Sequence, residues 1–170
     1  QHEAMMKSKK VIESIDREFG DKFGRYHGGM VKEYKCDDAE VVMVTTGSIS
    51  GTSRLVVDSM REKGLKVGLV KLRFFRPFPV EYFRELKSRV KAVGVIDRNL
   101  SFGYEGAVGS EVKSAMYDSC GSPKFIDFIA GIAGRDIKKD DIELMYNKLL
   151  NLSMGQEEAE LQFIGMRWQE

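Results

Sequence analysis

A chain of 170 residues fits one domain with an appended segment and is long enough to bury a proper core. Apolar residues make up 42% and charged residues 31%, and 27 basic against 26 acidic side chains leave a formal net charge of +1. That balance lacks the basic excess that nucleic acid or an anionic membrane surface selects, and no apolar run approaches the roughly 18 residues that span a bilayer. Gln1 is followed at once by a charged, helix-like stretch with no signal-peptide pattern, which reads as a segment of a longer chain, set apart by design or by processing.

Residues 2–19 place Met5, Ile12, Ile15 and Phe19 at spacings that suit one helical face. Gly20 and Gly24 are expected to close this helix, and Gly28-Gly29 marks a loop. We read residues 1–37 as a linker helix and loop reaching in from a preceding domain. The pattern then changes to alternating strand and helix. Residues 40–45 form an apolar, β-branched run of the kind buried on both faces of a parallel sheet. Thr52 to Lys63 carries Leu55, Val56 and Met60 at helical spacing, ended by Gly64. A second strand is predicted over 66–72. A second helix begins with Pro79 in its first turn, where the missing N–H costs nothing, and runs to about Ser88.

A third strand is predicted over 90–96, a helix from about Val108 to Ser119, a fourth strand over 124–129 and a last helix from Lys138 to Leu150. Four strand-then-helix units in succession predict an α/β domain over 38–151, three layers α/β/α with a mostly parallel sheet. Residues 152–170 have weaker periodicity and read as a C-terminal tail that docks on another surface.

In such a sheet, ligands and partners meet the loops at the carboxyl ends of the strands. The first loop, 45–52, holds Gly47, Ser48 and four further hydroxyl residues, Thr45, Thr46, Ser50 and Thr52, at the approach to a helix. Its backbone N–H groups suit an anion, or it is a tight turn capped by Ser50; it matches neither common nucleotide-binding glycine pattern. The second, 73–79, interleaves Arg73 and Arg76 with Phe74, Phe75 and Phe78, a composition that suits base stacking, a phosphate or a buried subunit contact. The third, 97–106, contains Asp97, Arg98, Asn99, Glu105 and two glycines. Asp97 and Glu105 read as paired carboxylates for acid–base work, or Asp97 pairs with Arg98 across the strand end. The fourth, 130–136, has glycines that permit close backbone approach and an Asp136 placed to cap the last helix. No loop assembles a nucleophile, a base and an orienting partner, so no catalytic residue is assigned. Arg76, Arg98, Asn99, Ser48 and Gly47 are the candidates for contact with a ligand or another subunit.

Cys36 and Cys120 lie far apart in no CxxC or CxxH context, and His2 and His27 are not spaced to complete a metal site. Both read as reduced thiols of a cytoplasmic protein.

The loops in their order resemble one family. Arg76-Pro77-Phe78-Pro79, Val95-Ile96-Asp97-Arg98-Asn99-Leu100-Ser101-Phe102-Gly103 and Phe128-Ile129-Ala130-Gly131-Ile132-Ala133-Gly134-Arg135-Asp136 are similar to the alpha subunit of pyruvate:ferredoxin oxidoreductase, or pyruvate synthase. So are the opening helical stretch and the closing Phe163-Ile164-Gly165-Met166-Arg167-Trp168. The resemblance covers nearly the whole chain. It implies the carboxyl-terminal domain of that alpha subunit, with a fold like the transketolase C-terminal domain. It also implies that thiamine diphosphate, with magnesium, lies between the preceding alpha-subunit domain and a beta subunit. Iron–sulfur clusters would sit on other subunits of the beta, gamma and delta types. Coenzyme A would take the acyl group of a 2-oxoacid, pyruvate by overall similarity, and ferredoxin the electrons. Two other readings stay open: a free-standing anion- or nucleotide-binding module using Thr46 to Thr52, and a structural domain that forms a homodimer.

Overall fold

The computed structural model describes residues 1–117, 121–159 and 161–166. Cys120 and the closing Arg167 and Trp168 lie outside them. In chain order the elements are α1 (His2–Phe23), β1 (Val31–Tyr34), β2 (Val41–Thr46), α2 (Ile49–Glu62), β3 (Val67–Leu72), α3 (Val80–Leu86), β4 (Ala92–Asp97), α4 (Ala107–Met116), β5 (Lys124–Ala130), a 3₁₀ turn (Ile132–Gly134), α5 (Lys139–Ser153) and β6 (Gln162–Ile164).

The strands form one sheet in the order β1-β3-β2-β4-β5-β6, parallel throughout except for β1, which runs antiparallel to β3. This is the three-layer α/β/α fold that the alternating pattern predicts. Val41 to Thr45 of β2 are all fully buried, because helices cover both faces of the central strands and leave no solvent side to alternate with. On one face Met43, Leu69, Ile96 and Phe128 pack with Val56, Val57 and Met60 of α2 and Ile142, Met145, Tyr146 and Leu149 of α5. On the other, Val42, Val44, Val70, Val93 and Val95 pack with Phe83 and Leu86 of α3 and Val108 and Val112 of α4. Tyr146 is wholly buried, and its hydroxyl donates to the Gly68 carbonyl at 2.9 Å, so its one polar atom is satisfied inside the core.

Three local expectations are revised. Helix α2 starts at Ile49, three residues before the predicted Thr52, and Leu55 is 54% exposed, on the solvent side of that helix. Residues 31–34 and 162–164 are strands at the two sheet edges, each too short to show a period. Gly20 lies within α1 rather than ending it, and Gly24, in the left-handed conformation at φ 67°, is the cap.

Helix α1 is held mainly by polar contacts, and among its residues only Gly20 is buried. The Tyr26 ring lies against Gly20, where any side chain would overlap it. Asp16 accepts the N–H groups of Gly28 and Gly29 at 2.9 and 3.0 Å and pairs with Arg73 at 3.2 Å, while Lys9 reaches Glu81 of α3 at 2.8 Å.

Candidate functional site

The chain leaves β2 in one direction across the sheet, to β3, and β4 lies on the other side of β2. The order therefore reverses between β2 and β4, and a crevice opens outside their carboxyl ends. Gly47 makes the turn out of β2 with φ 65°, a left-handed conformation that favours glycine, and open space lies where its side chain would be. Ser48 takes the N-cap position of α2, but its hydroxyl makes no capping hydrogen bond. The cap expected of Ser50 is not formed either. Ser50 is in the first turn of the helix, where its hydroxyl donates to the Gly47 carbonyl and accepts from the Thr45 hydroxyl, both at 3.0 Å, so it braces the turn instead.

Ser48, Ile49 and Thr52 form one wall of a crevice of about 200 Å³, opposite Arg98, Arg135, Asp136 and Ile137. Arg98 reaches this position by lying against Gly131: a Cβ there would stand 3.0 Å from its Nε. That is the close approach expected of the glycines in this loop. The Arg135 guanidinium donates to the Gly165 carbonyl. Asp136 lines the crevice and does not cap α5; Asp141 accepts the Lys138 N–H at 2.8 Å in that role. Two guanidinium groups outnumber the single Asp136 carboxylate and, with two hydroxyls and a helix amino terminus, favour an anionic group over a neutral one.

Two of the five candidates lie away from this crevice and have partners within the chain. Asn99 donates to Asp97 Oδ1 at 2.5 Å and accepts the Ala107 N–H at 3.0 Å, so its amide secures the start of α4. Arg76 lies over the Phe75 ring, 4.3 Å from its centroid, and pairs with Glu111 of α4 at 2.5 Å. Gly47, Ser48 and Arg98 thus share one sheet end, while Arg76 lies on the flank of α4.

Asp97, at the start of the third loop, belongs to a pair that the sequence reading did not identify. Asp97 pairs with neither Arg98 nor Glu105. It is 1% exposed, and its Oδ2 accepts the N–H groups of Val108 and Gly109 at 2.7 and 2.9 Å. Asp127 of the next strand is 2% exposed and accepts the Gly106 N–H at 2.7 Å. Burial pushes the Asp97 carboxyl up, against the pull of the Gly109, Val108 and Asn99 donors. Burial, with the nearby Asp97 and Glu105 charges, pushes Asp127 up to about 7. The signal was present in the sequence: Asp127 is the one acid inside the apolar strand Phe125-Ile126-Asp127-Phe128-Ile129. Both carboxylates are engaged with α4 and face no open crevice, so they do not suit the magnesium of a diphosphate cofactor, and no step is assigned to such a group here.

Residues 39–142 match the family described as pyruvate:ferredoxin oxidoreductase core domain II. The chain is 38% identical over 168 residues to the pyruvate synthase subunit PorA of Pyrococcus furiosus, covering 98% of this chain and 42% of that one. With the PorA subunit of Thermotoga maritima it shares 41% over 167 residues, again 98% of this chain and 42% of the other. With the ketoisovalerate oxidoreductase subunit VorA of Pyrococcus abyssi it shares 42% over 136 residues, 80% of this chain and 34% of that one. Among solved structures, 2-oxoglutarate:ferredoxin oxidoreductase from Magnetococcus marinus, determined with 2-oxoglutarate, coenzyme A and succinyl-CoA bound, superposes with a TM-score of 0.56 at 17% identity. That superposition covers 79% of this chain and 21% of the other and speaks to the fold alone. The chain spans about two fifths of the length of the PorA relatives.

Proposed function

The chain belongs to the pyruvate:ferredoxin oxidoreductase core domain II family, and on that footing we propose that it is the carboxyl-terminal domain of the alpha subunit of a thiamine diphosphate-dependent 2-oxoacid:ferredoxin oxidoreductase. The complete enzyme oxidatively decarboxylates its 2-oxoacid, passes the acyl group to coenzyme A, releases carbon dioxide and reduces ferredoxin, in the cytoplasm. Pyruvate is the substrate of choice: the two PorA subunits compared above match 98% of the chain, whereas the VorA subunit matches 80% of it. Thiamine diphosphate and the iron–sulfur clusters belong to the preceding domain and to the beta, gamma and delta type subunits.

Within the complex this domain organises subunits and supplies no reacting group. We assign residues 38–151 to the core of the α/β unit, to which the flanking segments 1–37, the connection from the preceding domain, and 152–170, the closing tail, add the edge strands β1 and β6. The crevice at Ser48 and Arg98 is the contact for an anionic group, either a ligand or an acidic side chain of a neighbouring subunit. Its residues support this reading, since a crevice with two arginines opposite a helix amino terminus recognises negative charge.

The test is to isolate the native complex anaerobically and measure coenzyme A-dependent reduction of a viologen dye by pyruvate and by 2-oxoisovalerate. A preference for pyruvate, in a complex carrying thiamine diphosphate and iron–sulfur clusters, supports the reading. A preference for the branched substrate moves the chain to the second relative's activity. A chain that associates with no partner and supports no 2-oxoacid-dependent reduction overturns it.

A further inference from the structure

The start of α4 is capped in an unusual way. Four consecutive N–H groups, Gly106 to Gly109, are accepted by three side chains: Asp97 at the end of β4, Asn99 in the loop after it and Asp127 in the middle of the neighbouring strand β5. Asp127 Oδ2 takes Gly106, Asn99 Oδ1 takes Ala107, and Asp97 Oδ2 takes both Val108 and Gly109. No side chain of the helix's own N-cap residue takes part. The loop 98–106 is therefore pinned at both ends, by Asp97 where it leaves β4 and by Asp127 where it enters α4.

The two carboxylates are not equivalent. Asp97 receives donors on both oxygens, from Val108, Gly109 and the Asn99 amide, and this set favours its charged form. Asp127 receives one donor, on Oδ2, and its Oδ1 is buried with no hydrogen-bond partner. A bare, buried, charged oxygen beside a second carboxylate is one of the costliest arrangements a core can hold. A proton on that oxygen removes the charge and leaves Oδ2 free to accept from Gly106.

We propose that Asp97 and Asp127 form a single-proton latch on the 98–106 loop: a proton on Asp127 Oδ1 lets both carboxyls cap α4 at once, and its loss to water sets two buried charges side by side and loosens the Gly106 anchor. The loop that the latch controls carries Phe102, 97% exposed, and Tyr104, 67% exposed, together with the surface residue Arg98. Exposed aromatics of this size are what a neighbouring protein surface takes up. The charged groups around Asp127 are Asp97 on β4, Glu105 in the loop and Lys113 on α4, and the last two pair with each other at 3.1 Å. Burial and the Asp97 and Glu105 charges outweigh the Gly106 donor and Lys113, and push the Asp127 carboxyl up to about 7. The latch is a property of this chain alone and does not depend on the enzyme reading.

The sign follows from linkage. The closed loop keeps a proton on Asp127 up to about pH 7, whereas an opened loop exposes an ordinary carboxyl that releases it near pH 4. Between those values opening releases a proton, so rising pH favours the open loop, by up to about tenfold per pH unit, and the effect levels off above about pH 7.

Carboxyl carbon-13 NMR of Asp127 and exchange protection of the Gly106 amide, recorded on the 170-residue chain between about pH 5 and about pH 9, test the latch. The expected result is a single carboxyl step near neutrality, with Gly106 protection falling as that step is approached and flat above it. In Asp127→Asn, which keeps an acceptor for Gly106 and has no proton to lose, the protection is expected to stay flat throughout. A carboxyl already ionised at about pH 5, or wild-type protection that does not change with pH, overturns the latch. So does an Asp127→Asn variant with the wild-type profile. Should that variant fail to fold, the carboxyl titration of the wild-type chain decides alone.

Discussion

Gly106 and Gly109 lack side chains for a reason that lies on neighbouring strands. A Cβ on Gly109 would come 2.5 Å from Asp127 Cγ, and one on Gly106 would overlap the Asp97 carboxylate. The carboxylates reach the α4 backbone only because these positions are bare. Gly109→Ala forces either the helix or β5 to move, and overpacking of this kind costs about 1–3 kcal/mol. Gly51 in α2 is the matched control: it lies in a helix with open space around it, so Gly51→Ala is expected to be neutral or stabilising by about 0.5 kcal/mol. Thermal unfolding of the two variants checks the argument, and equal effects would show that Asp127 has room to move.

Helices of this fold are held in two different ways. Helices α2 and α5 bury a stripe of apolar side chains against the sheet, so they melt only with the core. Helix α1 has 22 residues and buries one glycine, while Met5, Met6, Val11, Ile15 and Phe23 are between 43% and 60% exposed. Its hold on the domain runs through Asp16 and Arg73, whose guanidinium also donates to the Gly29 carbonyl at 2.5 Å. Arg73→Ala removes both contacts at once. Limited proteolysis is then expected to cut within residues 1–29 at least about tenfold faster, a factor that corresponds to roughly 1.4 kcal/mol, with the 38–151 core left intact. Unchanged cleavage would mean that the apolar contacts of Ile12 and Phe19 hold α1 without the arginine.

At the scale of the molecule, the chain spans about two fifths of its PorA relatives, and its strand-end crevice sets Arg98 and Arg135 beside Asp136 and the Ser48 and Thr52 hydroxyls. On the proposed function, activity depends on what the crevice and the loops touch in the complex. Arg98→Ala in the full oxidoreductase distinguishes the two partners that the crevice suits. If the arginine holds an anionic ligand, the complex assembles normally and the ligand's KM rises about tenfold or more. If it holds an acidic side chain of a neighbouring subunit, size-exclusion chromatography shows the complex coming apart. Unchanged KM and unchanged assembly would remove Arg98 from any functional contact.

The amino-acid sequence by itself determined the layered α/β fold, because buried parallel strands need unbroken apolar runs and the covering helices need a 3.6-residue period. Both patterns are local and could be read along the chain from residue 40 to residue 150. The family was legible too, in loops whose residue order is distinctive. What only the tertiary structure decided are the relations between residues that no local period links. Strand β1 pairs antiparallel at one sheet edge and β6 parallel at the other, although neither is long enough to show alternation. Arg98 and Ser48 face each other because the sheet order reverses between their strands, whereas Arg76 is drawn away to Glu111. Asp97 and Asp127 meet at the head of α4 because β4 and β5 are neighbours in register. Thirty residues separate them along the chain, so the local pattern marks Asp127 as an acid in an apolar strand but not its partner; the pairing exists only once the sheet has formed and burial has made each donor and each charge count.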